Sequence, residues 1–536
     1  GESVYGRSFL YVIFQEGTDL YWARTRVGEI LASARSNLPN GADPKIGPDA
    51  NGLGWVFQYA LVDETGQQDL GRLRALQDWV LRPALAAVPG VSEVAPVGGF
   101  IRELQILLNP ERLSASGITI NEIAEAVRKS NRDASGRSLE VNSSEVVVRG
   151  RGRLASVEDL RQLTLRTRQA GRPLLLGDVA TIVEGGGPRI GVAELDGRGE
   201  TVGGIVIMRD RENAMRVIDG VKHKLEQIQT AFPPGVKVIP VYDRSDLIGR
   251  AIENLKRKLL EEGIVVALVC FLFLGHVRSS LVAILTLPLA LLLSFLPFSL
   301  FGLSANIMSL GGMAIAIGAM VDAAIVLVEN AHKRLEQEEA LTFAHRREIV
   351  LEAAASVGRP IFFSLLVITV SFLPVFSLTG QEGRLFRPLA CTKTFAMAFA
   401  ALLSITLVPV LLPFCLTGKL KPETSNPLNR LLARLYAAPL DWVLHRRKTS
   451  LAVAILLLFS SLIPLSRMGT EFMPPLNEGD LLYMPTAAPG LAIPEASHLL
   501  TVQAQAIRKI PEVATVFGKA GAAETATDPA PTSMFE

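Results

Sequence analysis

An acidic residue, Asp322, lies inside a long apolar stretch that runs from Ile307 to Asn330. An ionised Asp at the centre of a membrane helix costs roughly 2.5–3.5 kcal/mol on insertion scales, so such residues face a bundle interior and belong to ion or proton paths. A purely structural pairing with a neighbouring Lys or a backbone group is the alternative. Glu329 follows two turns later on the same face, where it fits either a second proton carrier or an interfacial cap. Asp322 therefore predicts a proton-coupled transporter.

Small residues share a helix face with this carboxylate. Ala314, Gly318 and Asp322 recur every four residues, and small side chains at this spacing let a second helix approach closely. The pattern predicts that Asp322 packs against protein. Lys393 is the one Lys within the long apolar segments, but it falls near the outer end of its segment while Asp322 falls near mid-depth. The two are therefore not expected to pair.

Two methionines outside the apolar segments are candidate metal ligands. Met484 lies in a strand-like run from Leu481 to Pro485, and Met534 lies in a loop. Thioether sulfur selects soft monovalent ions such as Cu(I) and Ag(I) and binds Zn(II) poorly. Methionine is also a common filler of protein cores, so the spacing alone leaves both interpretations open.

Composition narrows the class of protein. The 536 residues are 49% hydrophobic and 20% charged, with a mean hydropathy of +0.32, which predicts a mixture of soluble and membrane-embedded parts. A net charge of +2 with dispersed Lys and Arg excludes a nucleic-acid-binding protein. Cys270, Cys391 and Cys415 lie in apolar stretches without paired spacing, which predicts buried thiols and neither a disulfide framework nor a zinc site.

Residues 1 to about 250 alternate strand-like and amphipathic helical segments, which predicts an α+β fold built from βαβ units. Strands are predicted at 9–14, 56–62 and 201–208, and helices at 20–37, 70–88, 122–129 and 213–232. The first three helices are predicted to follow the N-caps Asp19, Asp69 and Asn121. A segment richer in Arg, Ser and Gly, from about 100 to 187, predicts an inserted module.

From about residue 250 the sequence becomes strongly apolar. Membrane helices are predicted at 263–275, 281–303, 307–330, 360–378, 388–416 and 451–465, the last of them short. Lys and Arg concentrate in alternate connections, which the positive-inside rule places in the cytoplasm. The N-terminal domain and the segment after Gly469 then lie on the outer side, which is the periplasm in a double-membrane bacterium. A helix at 426–436 alternates Leu with Arg and fits the cytoplasmic membrane interface or a solvated surface.

Four motifs in a fixed order carry a resemblance to a known family. They are Gly311–Arg334 around Asp322, Gly380–Phe386, Leu481–Pro485 and Glu524–Asp528. Over essentially its whole length the chain resembles the heavy-metal efflux branch of the resistance-nodulation-division (RND) transporters, specifically the type that exports Cu(I) and Ag(I). It resembles the part from after the first membrane helix to early in the second periplasmic loop.

That resemblance implies a function and a setting. The family's pumps are homotrimers of the bacterial inner membrane with large periplasmic domains, and they are proton antiporters, not enzymes. They export metal through a periplasmic adaptor and an outer-membrane channel protein. No cofactor is implied, and Cu(I) or Ag(I) is the cargo.

The resemblance also assigns roles to individual residues. Asp322 matches the proton-relay carboxylate, whose family partners, a Lys and a Glu, belong to the second half of the pump. Met484 and Met534 match two of the three methionines of the periplasmic metal site. Met320 and Met397 match a methionine pair that passes ions across the membrane, and Met308 matches one member of another pair.

Some positions depart from the family pattern. Leu327 and Leu412 stand where a further methionine pair is expected, so the full stepping path across the membrane is in question. Ala316 stands where the divalent-metal branch carries a second Asp, which argues against zinc, cobalt or nickel. The alternatives are a divalent-metal exporter, a drug-exporting RND relative, which 6% aromatic content and Ala316 disfavour, and an inactive membrane scaffold.

The predicted fold class is an α+β membrane protein with periplasmic βαβ (ferredoxin-like) porter subdomains, an inserted docking module and an α-helical transmembrane bundle. The predicted domains are 1–54 for a partial porter subdomain, 55–105 with 188–248 for a second porter subdomain, 106–187 for the inserted docking subdomain, 249–418 for transmembrane helices, 419–449 for a cytoplasmic interfacial helix, 450–468 for a further transmembrane helix and 469–536 for the start of a second periplasmic porter region. Because the sequence opens on Gly without an initiator Met or signal peptide, it is expected to be a fragment, and the resemblance implies that the fragment is the N-terminal half of a pump.

Overall fold

The computed structural model consists of two compact units. One comprises Gly1–Ser245 with Asp480–Glu536, and the other comprises Asp246–Gly479. The structure describes residues 1–4, 7–15, 17–39, 41–167, 172–274, 277–301, 306–336, 342–416, 427–469 and 479–536. The first unit mixes helices and strands, and the second is helical, as the change in composition near residue 250 predicts.

All strands of the described residues belong to the first unit. They are β1 (Glu2–Val4), β2 (Arg7–Phe9), β3 (Trp55–Asp63), β4 (Val91–Gly98), β5 (Arg102–Leu108), β6 (Ala134–Val141), β7 (Ser144–Gly150), β8 (Thr164–Thr167), β9 (Pro173–Leu175), β10 (Ala180–Gly186), β11 (Gly191–Leu195), β12 (Glu200–Met208), β13 (Val236–Asp243) and β14 (Phe517–Gly521).

The helices divide between the two units. In the first they are α1 (Leu20–Ala34), α2 (Leu70–Leu76), α3 (Arg82–Ala86), α4 (Pro110–Ser116), α5 (Ile120–Ser130), α6 (Val157–Arg161), α7 (Leu176–Val179), α8 (Ala214–Ile228) and α17 (Ile493–Arg508). In the helical unit they are α9 (Arg244–Leu274), which starts at the boundary, α10 (Val277–Leu300), α11 (Ile307–Glu336), α12 (Phe343–Val370), α13 (Gly380–Ile405), α14 (Leu407–Cys415), α15 (Pro427–His445) and α16 (Arg447–Arg467). Short 3-10 or π turns extend α1, α2, α8 and α12.

The main sheet is antiparallel and has the order β13-β3-β12-β11-β14, with β4 also paired to β12. Alternate residues of β12 enter different cores, because successive side chains of a strand point to opposite faces. Val202 and Val206 pack in the larger core with α2, α3 and α8, whereas Ile205 and Ile207 pack with residues of β4 and β11. Burial on both faces explains why β12 reads as an apolar run and not as an alternating one.

Two of the predicted N-caps are confirmed. The Asp19 carboxylate accepts a hydrogen bond from the Trp22 amide (2.8 Å), and the Asp69 carboxylate accepts one from the Arg72 amide (2.7 Å). The prediction of Asn121 as a cap was wrong. Thr119 caps α5 instead, and the Glu122 carboxylate accepts from the Thr119 amide, because a reciprocal capping box satisfies two free amides at once.

The predicted strand at 9–14 is also wrong. The strand ends at Phe9, whose register partner is Glu2, so β1 offers almost no backbone beyond that point for pairing. Residues 10–15 have no regular structure, and Leu10 and Ile13 are exposed. A β-branched and aromatic run becomes a strand only where a neighbouring strand supplies hydrogen-bond partners.

The inserted segment has a small core of its own. Its first and last strands, β5 and β10, pair antiparallel from Leu108–Ala180 to Arg102–Gly186. Most of the buried residues of this core come from α5, α6, α7 and β10, and they include Ile123, Leu160 and Ile182. The β6–β7 hairpin extends from it with both faces exposed and turns at Asn142 and Ser143, which have positive φ.

Within the described residues, Phe343–Ser377, Leu385–Ile405 and Arg447–Arg467 are long and apolar enough to cross a membrane, and Ile284–Leu300 and Met308–Gly318 are shorter apolar helices. The single span predicted at 388–416 is divided at Thr406 into α13 and α14. Pro409 accounts for the break, because a proline lacks an amide hydrogen and clashes with the carbonyl four residues earlier, here that of Ile405. Part of the segment predicted at 263–275, and residues 302–305 and 417–426 in the predicted loops, lie outside the described residues.

Candidate functional site

The carboxylate helix is α11, which is continuous from Ile307 to Glu336 and carries Asp322 at mid-length. The Asp322 side chain lies outside the part that the structure describes. Glu329 forms an ion pair with Lys333 one turn later, at 2.6 Å between Oε1 and Nζ. Both side chains are partly exposed, and an ion pair of this kind contributes at most about 1 kcal/mol. That pairing fits the interfacial alternative for Glu329.

Helices α11 and α13 run in the same direction, as their contacts and connections through α12 indicate. The amide of Asn330 on α11 donates to the Ala353 carbonyl on α12, and Arg334 pairs with Glu352, so these two helices are antiparallel. A short connection returns the chain from α12 to α13. Consequently α11 and α13 are parallel.

Gly312 and Leu389 mark where α11 and α13 touch. A Cβ atom placed on Gly312 would lie 2.6 Å from the Leu389 carbonyl oxygen, so the two backbones are in contact. This close approach is what small residues on α11 predict, although the contact falls at Gly312, which is outside the Ala314, Gly318 and Asp322 series.

The contact sets the relative depth of residues further along both helices. Met320 lies eight residues after Gly312, and Met397 lies eight residues after Leu389. With a rise of about 1.5 Å per residue, both lie about 12 Å deeper, at the same level. Both are buried in the same apolar core. The structure therefore brings this predicted pair to one depth of the bundle.

The other transmembrane candidates occupy different places. Met308 is the second residue of α11, one turn before Gly312, and it is half-buried. Leu327 and Leu412 are both fully buried in the same apolar core, so leucines fill the two positions at which the sequence resemblance leads us to expect a further methionine pair.

Lys393 is engaged away from the carboxylate helix. Its ammonium lies 3.5 Å from the centre of the Phe372 ring, a cation–π contact. Lys393 lies four residues beyond the helix contact and Asp322 lies ten residues beyond it, which separates them by about 9 Å in depth. This separation supports the expectation that the two do not pair.

In the α/β unit, an antiparallel bridge joins the segments that carry Met484 and Met534. Thr486 lies directly opposite Met534. Two backbone hydrogen bonds flank this pair: the Ala487 amide donates to the Ser533 carbonyl (2.8 Å), and the Phe535 amide donates to the Pro485 carbonyl (3.1 Å).

This bridge relates two methionines that are 50 residues apart in sequence. Side chains alternate along a strand, so Met484 lies on the same side as Thr486, which is also the side of Met534. The two methionines occupy diagonal positions, which in a regular ladder are roughly 7–8 Å apart. Pro485, which lies between Met484 and Thr486 in the sequence, is opposite Phe535 and has no amide hydrogen with which to extend the pairing.

A cleft of about 410 Å³ opens beside Met534. Its lining includes Trp55, Asp528 and Glu536 as well as Met534; the remaining lining residues are Glu2, Gly52, Thr527, Pro529, Ala530 and Pro531. Met484 does not line this cleft and is 44% exposed. One thioether, several carboxylates and an indole ring therefore share the cleft.

The loop that carries Asp528 is anchored on both sides. Glu524 pairs with the buried Arg74, and the Thr525 hydroxyl donates to the Glu93 carboxylate (2.9 Å). Burial raises the pKa of Glu93, while the Thr525 hydroxyl and Arg82 oppose that rise. The Trp55 indole donates to the Thr527 hydroxyl (3.0 Å). These bonds hold the motif Glu524–Asp528 against the main sheet.

Sequence reasoning missed three residues of this site. They are Trp55, Glu536 and Lys519. The Lys519 ammonium lies 2.6 Å from Asp528 and 3.1 Å from Glu536. The two-residue spacing of Met534 and Glu536 could have pointed to a shared strand face. Among the described residues no group of three or more His, Cys, Asp or Glu side chains could hold a metal ion.

The two units define a class, the membrane transporters: one is a bundle of apolar helices, and the other is an α/β unit with a thioether in the lining of its cleft. The chain belongs to the AcrB/AcrD/AcrF family, whose model matches residues 1–535. The predicted membership of the heavy-metal efflux branch of the RND transporters is thereby confirmed. Transporters of this family are secondary transporters and not enzymes.

Curated relatives match the whole chain. It is 52% identical to the putative cation efflux system protein SilA of Salmonella typhimurium and 51% identical to the cation efflux system protein CusA of Escherichia coli K12, in each case over 100% of this chain and 52% of the relative. It is 35% identical to the cobalt-zinc-cadmium resistance protein CzcA of Cupriavidus metallidurans, over 100% of this chain and 51% of that protein. The chain therefore spans about half the length of these relatives.

Solved structures give the same result. A crystal structure of a heavy metal efflux pump superimposes with a TM-score of 0.84 at 31% identity, over 98% of this chain and 50% of that one. A second crystal form gives a TM-score of 0.80. The RND transporter fold is thus shown for the part of the pump that this chain represents.

Proposed function

We propose that the pump containing this chain exports monovalent soft metal ions, Cu(I) or Ag(I), from a bacterial cell by proton antiport. The observation that carries the proposal is the bridge between Thr486 and Met534. It puts Met484 and Met534 on one side of a ladder beside a cleft, and neutral thioether sulfurs favour soft monovalent ions over Zn(II). The similarity to cation efflux proteins supports the same assignment.

The path across the membrane is assigned to Met320 and Met397, with Met308 nearer the outer end. Their burial at one depth on parallel helices supports a thioether step there. Leucines at 327 and 412 leave apolar side chains where a further step would fall. We assign the proton relay to Asp322, and Glu329 stays a prediction as a second carrier.

The domain architecture is part of the proposal. The order β13-β3-β12-β4, all antiparallel, with α2, α3 and α8 packed against it, supports a ferredoxin-like porter subdomain at 55–105 and 188–248. The remaining assignments are a partial porter subdomain at 1–54, a docking subdomain at 106–187, transmembrane helices at 249–418 and 450–468, an interfacial helix at 419–449 and a further porter region at 469–536.

The setting follows from the family. The pump is assigned to the inner membrane, with the α/β unit in the periplasm. Its partners are two further copies of itself, a periplasmic adaptor and an outer-membrane channel protein. The apolar helices of the described residues support the membrane assignment.

Metal titration of the full-length pump tests the thioether assignment. Met484→Ile and Met534→Ile keep an apolar side chain of similar size but remove the sulfur. Each is expected to weaken Ag(I) binding by more than about tenfold, or about 1.4 kcal/mol. Met208→Ile, in the main sheet, is the control and should bind as the wild type does. Unchanged affinity in both site variants, or tighter binding of Zn(II) than Ag(I) by the wild type, would refute the assignment.

The proton relay is tested separately. One proton that crosses about 100 mV supplies about 2.3 kcal/mol, so Asp322→Asn should abolish silver resistance while leaving expression and trimer formation intact. Asp441→Asn, on the exposed surface of α15, is the matched control. Full resistance with Asn at 322, or proton-driven uptake into inverted vesicles, contradicts the assignment.

A further inference from the structure

Lys519 lies behind the carboxylates of the cleft. It is on β14, and its side chain is 5% exposed. Its ammonium is 2.6 Å from Asp528 Oδ2 and 3.1 Å from Glu536 Oε2. The Trp55 ring covers it from a third direction, with its centre 5.5 Å away. Asp528, Glu536 and Trp55 all line the cleft, whereas Lys519 does not.

We propose that Lys519 is a positioning residue that sets the metal specificity of the cleft, by holding Asp528 and Glu536 so that divalent ions cannot use them. The inference rests on the proposed function and deepens it. The proposed substrate class of the pump stays Cu(I) and Ag(I), and the inference identifies the residue that excludes divalent metal ions from the cleft.

The backbone makes this arrangement rigid. Lys519 and Glu536 exchange two backbone hydrogen bonds, each 2.8 Å long. The Ala523 amide donates to the same Asp528 oxygen that accepts from Lys519, at 2.8 Å. Both carboxylates are therefore fixed in direction by donors from the protein.

The consequence for metal binding is one of ligand availability and charge. Divalent ions such as Zn²⁺ and Co²⁺ bind through carboxylate oxygen and imidazole, and carboxylates must be free to coordinate them. Here one oxygen of each carboxylate, Asp528 Oδ2 and Glu536 Oε2, contacts the Lys519 ammonium. The sulfur of Met534, which lines the same cleft, is neutral and forms no ion pair with an ammonium. A fixed positive charge also repels a divalent ion twice as strongly as a monovalent one.

In the part of the chain that the structure describes, no group of three or more His, Cys, Asp or Glu side chains could hold a metal. Without the ammonium, Asp528 and Glu536 become two adjacent carboxylates beside a thioether.

Paired titrations with Ag(I) and Zn(II) on the full-length pump test the inference. Lys519→Gln should strengthen Zn(II) binding by about tenfold or more, which corresponds to about 1.4 kcal/mol, while Ag(I) binding changes less than about threefold. Lys519→Arg keeps the positive charge and should therefore bind Zn(II) as weakly as the wild type does. A merely structural lysine would not produce a gain of affinity for one metal.

Removing a charge from a buried pair can prevent folding, so a second variant accompanies the first. Lys519→Gln with Asp528→Asn keeps the net charge and leaves Glu536 free, and it should also bind Zn(II) more tightly than the wild type. If neither variant gains Zn(II) affinity, the inference is overturned. Loss of Ag(I) binding in Met484→Ile and Met534→Ile bears on the proposed function alone, so the two can fail independently.

Discussion

Replacing Gly312 by Ala tests the contact that aligns the two methionine-bearing helices. The new Cβ would lie 2.6 Å from the Leu389 carbonyl oxygen and 3.1 Å from its Cα, whereas ordinary contact begins near 3.4 Å. Backbone atoms cannot move aside as a flexible side chain does, so α11 and α13 would have to separate by about 0.8 Å. Overpacking of this kind costs about 1–3 kcal/mol.

The adjacent Gly311 provides a matched control. A Cβ there would meet no atom within 4 Å. In a helix interior, Ala is more stable than Gly by about 0.5–1 kcal/mol, so Gly311→Ala should be neutral or stabilising. The same gain applies at Gly312, which leaves a difference of about 1–3 kcal/mol between the two variants.

Thermal unfolding of the purified full-length pump and silver resistance of cells measure the two effects. Gly312→Ala is expected to unfold at a lower temperature than Gly311→Ala. It should also lower resistance, because the separation of α11 and α13 would move Met320 and Met397 apart. Equal unfolding temperatures and equal resistance for the two variants would show that α11 and α13 do not touch at Gly312.

Three further predictions concern other parts of the chain. Burial raises the pKa of Glu194 from 4.5 to about 7, and its Oε2 has no hydrogen-bond partner among the described residues. The contribution of Glu194 to the free energy of unfolding is therefore favourable below about pH 4.5 and is lost as the pH rises to about 7. Glu194→Gln should remove this pH-dependent loss of stability, which is on the order of 3 kcal/mol. Denaturant unfolding at pH 5 and pH 8 measures the loss, and a variant with the same pH dependence as the wild type would contradict the prediction. Met320→Leu and Met397→Leu should lower silver transport into vesicles while Ag(I) binding at the cleft beside Met534 is retained, and loss of both together would speak against a separate membrane step. A short turn that joins Leu108 to Ala180, which are directly opposite in the β5–β10 ladder, should delete the inserted module, spare metal binding and abolish resistance; wild-type resistance would refute a docking role.

Sequence patterns predicted local structure well where local interactions decide it. The caps at Asp19 and Asp69 and the strand that ends near Met208 were predicted, because capping geometry and apolar runs depend on neighbours in sequence. The misplaced cap at Asn121 and the unformed strand at 9–14 show the limit. A better local partner, Glu122, decided the first, and a missing partner strand decided the second.

The sequence by itself determined the class of protein, the family and the chemistry of the candidate site residues. The presence of an Asp in an apolar stretch and of methionines in a polar segment is known without the tertiary structure. Only the tertiary structure decided which of these residues meet. Met534 and Thr486 are paired across 48 residues, and Lys519 pairs with Glu536 on the segment that is hydrogen-bonded to β14. Such contacts depend on strand order and register, which backbone hydrogen bonding and packing of the whole sheet select and which no single segment encodes.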